Sequence, residues 1–172
     1  MNLQSTDFEL FHLPTQFAQP RSLIDARWKD LQREAHPDKF AAQGLAAQRL
    51  AMQWSVRINE AYQRLKDPLK RASYLCELHG AHINAENNTA MPPAFLIQQM
   101  EWREALEDAT TLVQLEAIAE ETTAAEQAQI AVIAHALDAA QDYVKAANDV
   151  RSLMFIERFG TEVEARIDQL AT

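Results

Sequence analysis

At 172 residues, 48% hydrophobic and with only 3 Gly and 6 Pro, the chain suits one large domain or two small ones and can bury a core. Ala, Leu, Glu and Gln dominate, and no apolar/polar alternation is bounded by Asn-Gly or Asp-Gly turns, so an all-α fold is expected. The net charge of −9 divides into +2 for residues 1–80 (11 Lys/Arg, 9 Asp/Glu) and −11 for 81–172 (5 Lys/Arg, 16 Asp/Glu). That asymmetry suggests two units with different partners, and neither half has the concentrated basic surface that nucleic acid requires.

Residues 1–7 show no basic segment ahead of an apolar run, which argues against a secretory signal. No apolar stretch approaches the roughly 20 residues that span a bilayer. The single cysteine, Cys76, cannot close an internal disulfide. A cytoplasmic protein without membrane attachment is expected, and the glycosylation pattern Asn87-Asn88-Thr89 then carries no meaning.

In chain order, Thr6-Asp7-Phe8-Glu9 has the capping-box pattern and opens a short helix that Pro14 is expected to end. A second helix should begin near Pro20, with Ile24, Trp28, Leu31 and Ala35 as its buried stripe and Pro37 stopping it at about His36. Beyond Gly44, the residues Leu50, Trp54, Ile58, Ala61 and Leu65 recur at helical spacing, so these two helices should pair as an antiparallel hairpin. Asp67-Pro68 starts a further helix to about Leu78, and the stretch 79–93, with Gly80 and two prolines, is the candidate linker. Pro92-Pro93 opens a helix to about Asp108, and Thr111-Leu112-Val113-Gln114 a second capping box. The last helical stretch should break at 138–142, giving three antiparallel helices.

The segment Leu31-Gln32-Arg33-Glu34-Ala35-His36-Pro37-Asp38-Lys39-Phe40 resembles the J domain of DnaJ-type co-chaperones, whose signature tripeptide is matched by His36-Pro37-Asp38. The flanks agree: Phe8-Glu9-Leu10-Phe11-His12-Leu13-Pro14 is similar to the family's first helix, and Ile58-Asn59-Glu60-Ala61-Tyr62 with Leu65, Asp67-Pro68, Arg71 and Tyr74 to its third helix and exit. Ala35 departs from the pattern, since an aromatic is common there. Independently of the resemblance, Lys29, Arg33 and His36 share one side of a helix, away from its apolar stripe. Pro37 would leave Asp38 exposed to take a partner arginine. The resemblance implies that Lys29, Arg33, His36, Pro37, Asp38 and Lys39 dock on a heat-shock 70 kDa ATPase chaperone and stimulate its ATP hydrolysis. The chain itself would then be no enzyme.

The continuation into an acidic helical half resembles the HscB-type co-chaperones of iron–sulfur cluster assembly. Ala94-Phe95-Leu96-Ile97-Gln98-Gln99-Met100-Glu101-Trp102-Arg103-Glu104 is similar to that family's first C-terminal helix, and Val150-Arg151-Ser152-Leu153-Met154-Phe155-Ile156-Glu157 to part of its last. At about 100° per residue, Phe95, Trp102, Leu106 and Ala109 share a core side, while Leu96, Ile97 and Met100 lie on the other with Glu101, Glu104 and Asp108. An apolar second face among acids suits a partner, although packing of Leu96 and Met100 against the J domain or linker stays open. On the last helix Leu153, Ile156, Phe159, Val163, Ile167 and Leu170 form the expected core stripe, and Phe155 falls outside it.

The resemblance implies an HscA-type ATPase and an IscU-type scaffold as partners, the scaffold being bound by Leu96, Ile97, Met100, Glu101, Glu104, Asp108 and Phe155. The expected organisation is a J domain at 1–78, a linker at 79–91 and a three-helix bundle at 92–172. A general J-domain protein with another client or an oligomerising bundle is the alternative. No cofactor is expected. Cys76, His79 and His82 lack a fourth ligand, so no metal is assigned. Glu116, Glu120 and Glu121 read as a solvated face, not paired catalytic acids.

Overall fold

A computed structural model describes residues 2–84 and 91–172, and every regular element among them is helical. Residues 85–90, which include the Asn87-Asn88-Thr89 pattern and part of the expected linker, lie outside the described residues. The chain falls into two compact units, Met1–Leu75 and Cys76–Thr172.

In the first unit, α1 (Asp7–Leu10) opens with the anticipated capping box: Thr6 accepts from the Glu9 amide, and Glu9 from the Thr6 amide. It stops four residues before Pro14, so the proline is not what ends it. The amides of His12 and Leu13 donate back to the carbonyls of Glu9 and Phe8, and His12 takes the left-handed conformation at φ 52°. That is a Schellman stop made without glycine.

The hairpin is formed by α2 (Arg21–Glu34) and α3 (Leu45–Lys66), joined by a 3-10 turn at Pro37–Gln43 and by Gly44 at φ 99°. Their pairing is antiparallel: Arg21 reaches the Lys66 carbonyl, Trp28 Nε1 donates to Asn59, and the Ser55 hydroxyl donates to the Ala35 carbonyl. The buried stripe is shorter than expected. Ile24, Ile58, Ala61 and Leu65 are fully buried, but Trp28, Leu31, Ala35 and Trp54 are half-buried and Leu50 is exposed. Packing is therefore dense where α1 plugs the hairpin with Phe8, Leu10 and Phe11, and looser toward the turn.

Asp7 has no exposed surface, and two arginines enclose its carboxyl group. Arg64 grips it in a fork (2.6 and 2.9 Å), Arg57 stands 2.8 Å away, and Arg57 also donates to the carbonyls of Leu3 and Ser5. Such a cluster ties the N-terminal segment to α3 through charge-assisted bonds. Helix α4 (Pro68–Leu78) follows, and buried Arg71 donates to the carbonyls of Phe17 (2.7 Å) and Leu65 (2.6 Å).

The second unit contains α5 (Pro93–Asp108), α6 (Leu112–Ala134) and α7 (Tyr143–Ala171). The capping box at Thr111 and Gln114 starts α6 as anticipated. The break before α7 is a π turn, His135–Ala139, followed by Gln141 at φ 52° and by Asp142, which caps α7 by accepting from the Lys145 amide. One core cluster joins the three helices: Trp102, Leu106 and Ala109 of α5 and its end, Leu115 and Ile118 of α6, and Ile156, Phe159 and Val163 of α7. Phe95 and Ile167 pack on it at the edge, whereas Leu170 is exposed because α7 runs past the end of the bundle core.

Removing one member of a buried charge cluster strands the others in low dielectric. Asp7→Asn is expected to lower unfolding stability by about 3 kcal/mol in urea titrations followed by helical circular dichroism. An unchanged midpoint would mean that the cluster does not hold the first unit together.

Candidate functional site

Two surfaces combine exposure with chemistry, one in each unit. The first is the turn at His36-Pro37-Asp38. Helix α2 ends at Glu34, one turn-residue earlier than Pro37 alone demands, and Ala35 caps it. His36 is extended (φ −61°, ψ 127°), the conformation that a following proline favours. Its Nδ1 accepts the Asp38 amide at 3.2 Å, so the imidazole caps the 3-10 turn that Pro37 begins. An accepting Nδ1 leaves Nε2 as the protonated nitrogen, pointing its donor away from the backbone.

With its amide held in this way, the Asp38 side chain stays 92% exposed; its Oδ2 is 3.6 Å from His36 Nδ1. Lys29 and Arg33 of α2 and Lys39 of the turn are exposed, and Arg33 is in a loose pair with Asp30 at 3.5 Å. The structure thus brings all of the anticipated residues of this surface to one helix face and its terminal turn. What sequence reasoning missed is the His36 side-chain cap, whose only signal was a hydrogen-bonding residue directly before proline.

The second surface is the outer side of α5. Trp102 and Leu106 wedge its inner side into the core, where the Trp102 and Phe159 rings stack at 5.4 Å. Arg103 forks onto Glu162 of α7 (2.7 and 3.1 Å). Arg166 of α7 donates to the Leu106 and Ala109 carbonyls, satisfying acceptors that a helix C-terminus leaves open. These bonds fix the rotation of α5, and its other side faces out: Leu96 is 45% exposed, Ile97 57% and Met100 71%. Glu101, Glu104 and Asp108 are exposed on the same helix. Phe155 belongs to α7 and is half-buried, with the Arg158 guanidinium 5.4 Å over its ring. Arg103, Arg158 and Arg166 could not be found as supports from the sequence, since each acts through a partner on another turn or helix.

The residues weighed for metal binding are engaged elsewhere. His79 stacks on Tyr143 at 3.8 Å, and His82 Nδ1 lies 2.5 Å from Glu77 Oε2. The bond to His82, together with the Ile83 amide, holds the Glu77 carboxyl below its usual range. Glu121, one of the three acids weighed for catalysis, accepts the Trp102 indole N–H at 3.2 Å. Among the described residues no group of three or more His, Cys, Asp or Glu is placed to hold a metal, and no helix is long and apolar enough to cross a membrane.

Comparison with known proteins decides the family. Residues 91–164 match the family model described as the HSCB C-terminal oligomerisation domain. A co-chaperone protein HscB homolog of Burkholderia thailandensis is 50% identical over 173 residues, covering 99% of this chain and 98% of the relative. The chain belongs to the HscB co-chaperone family. Among solved structures, chaperone HscB from Vibrio cholerae aligns with a TM-score of 0.83 at 38% identity, over 96% of this chain and 99% of that one. Human co-chaperone protein HscB aligns with a TM-score of 0.84 at 26% identity, over 99% of this chain and 84% of that one. The all-α fold expected from composition and from the lack of strand patterning is thus the fold observed.

Cys76 is not part of either surface of this HscB-family chain. Burial pushes its thiol up to about 11, with Glu77 adding in the same direction. The thiolate is the reactive form. Native protein at pH 8 should therefore react with a maleimide far more slowly than urea-unfolded protein, by about a hundredfold or more. Equal labelling rates would refute the burial of this side chain.

Proposed function

We propose that the chain binds an iron–sulfur cluster scaffold protein of the IscU type, delivers it to a specialised heat-shock 70 kDa ATPase of the HscA type, and stimulates that ATPase. Residues 1–78 act as the J domain, 79–91 as the linker and 92–172 as the scaffold-binding bundle, in the cytoplasm. The observation that carries the reading is the Asp38 carboxylate, 92% exposed on a turn braced by Pro37 and capped by His36.

Mechanistically, Lys29, Arg33 and Lys39 steer the turn toward an acidic surface. Asp38 then accepts a partner arginine in a charge-assisted pair, which Asn could not reproduce with equal strength. His36 keeps the turn in shape, so the carboxylate is presented without reorganisation at binding. The chain acts as an activator, and ATP chemistry belongs to the partner.

The exposed Leu96, Ile97 and Met100, with Phe155, form the apolar centre for the scaffold; Glu101, Glu104 and Asp108 form the charged rim that suits a transient interface. Hydrolysis would lock the delivered scaffold onto the ATPase and favour cluster release. The oligomerisation named in the matching family description favours a second reading, in which this apolar face meets another copy of the chain.

Steady-state ATP hydrolysis by the cognate ATPase, with this protein and the scaffold added singly and together, should show stimulation that needs both for its full size. Stimulation by this protein that scaffold leaves unchanged would retain the ATPase partner and discard the scaffold. His36→Gln should abolish stimulation while leaving helicity and scaffold binding intact. Replacing Leu96, Ile97 and Phe155 by Ala should weaken scaffold binding by about 3 kcal/mol or more in total. If those replacements instead abolish self-association and leave scaffold affinity unchanged, the second reading takes the place of the first.

A further inference from the structure

At the turn end of the α2/α3 hairpin lies a cavity of about 350 Å³. Leu31 of α2, its cap Ala35, Phe40 of the 3-10 turn, and Leu50 and Trp54 of α3 are among the residues of its wall. Ala35 is the residue immediately before His36, and Phe40 lies in the turn that His36 caps, so the cavity is continuous with the proposed ATPase-docking turn. Three of its wall residues, Ala35, Ala47 and Ala51, carry only a methyl group, which leaves room between the helices.

An apolar hollow of this kind holds water poorly, because water there lacks polar partners. Filling it with an apolar group restores the dispersion contacts that its walls lack. The wall contains one carboxylate, Glu34, which disfavours an acidic group inside. Residues 29–50 around the wall carry four exposed cations, Lys29, Arg33, Lys39 and Arg49, against three exposed carboxylates, Asp30, Glu34 and Asp38, so the balance is cationic. The complementary partner therefore offers an apolar side chain surrounded by acidic ones.

We propose that an apolar side chain of the ATPase, set among carboxylates, enters this cavity when the His36-Pro37-Asp38 turn docks. The inference rests on the docking reading above and adds a second, apolar anchor to the polar one at Asp38. The cavity would then distinguish partners by shape, where the cationic face distinguishes them only by charge.

The test is a titration of the full chain into the cognate ATPase, reading the half-saturating concentration for stimulation. Ala35→Phe fills the cavity from within and should raise that concentration about tenfold, the loss of one modest anchor, with maximal stimulation retained. Leu50→Gln removes the apolar lip, which is 49% exposed, without adding charge, and should act in the same direction; it decides the matter if Ala35→Phe fails to fold by circular dichroism. Unchanged half-saturation in the folded variants, with His36→Gln still inactive, overturns the inserted side chain and leaves the docking reading standing. Stimulation that survives His36→Gln overturns both. Self-association of the wild type that Ala35→Phe abolishes would give the cavity to a second copy and overturn the proposal.

Discussion

A carboxylate with no exposed surface is stable only if its lost hydration is replaced in kind, and Asp7 obtains that replacement from Arg57 and Arg64 on α3. The geometry has consequences beyond the pair. Both arginines lie on α3 at i and i+7, on one side, so the grip fixes the four-residue α1 along that helix and not merely near it. A helix so short has no stability of its own. Held there, it buries Phe8, Leu10 and Phe11 against α3, in which Ile58, Ala61 and Leu65 are buried as well. The opposite end of the hairpin is left free to carry an exposed turn over a partly filled hollow.

The second unit solves a related problem with different bonds. Helix α5 contributes only a few residues to the core and would be free to roll if they acted alone. The Arg103–Glu162 fork and the two Arg166 bonds to the α5 terminal carbonyls prevent that. The Arg103–Glu162 fork is exposed enough that its direct contribution to stability is small, while the Arg166 bonds are half-buried. Their effect lies in orientation, since rolling α5 inward would bury Ile97 and Met100 and break all of these bonds together. A deeper anchor of the same type is Arg151 of α7, which is buried and donates to the Ile83 carbonyl at 2.6 Å and to the Asn148 side chain.

Much of the fold was legible because its helices announce their ends chemically. Both capping boxes, the starts at Pro20, Pro68 and Pro93, and the end at Asp108 follow from residues within one turn of the boundary. What escaped was set by partners far along the chain or by backbone geometry that residue type does not force. Nothing in His12 or Gln141 requires a positive φ, yet these two residues end α1 and precede α7. The stripe from Ile24 to Ala35 has helical periodicity throughout, but periodicity says which side faces inward and not whether anything fills the space opposite. Ala35 is where those two questions part. The exposed faces of α2 and α5 were legible for a simpler reason: an amphipathic reading assigns faces, and the structure leaves these faces uncovered within each unit.

On the proposed function, neither surface needs to be strong. The α5 patch holds a few aliphatic groups rimmed by acids, and the turn offers one carboxylate, a cationic face and a hollow; each is of the kind that gives modest affinity and fast release. Covalent connection changes the arithmetic. Once one partner is bound, the other meets it at the effective concentration set by the intervening chain instead of its bulk concentration, so two modest contacts act as a selective pair. On that proposal the charge balances, +2 and −11, would help the two halves favour different partners. A tighter surface at either end would capture its partner alone, and the requirement for both would be lost.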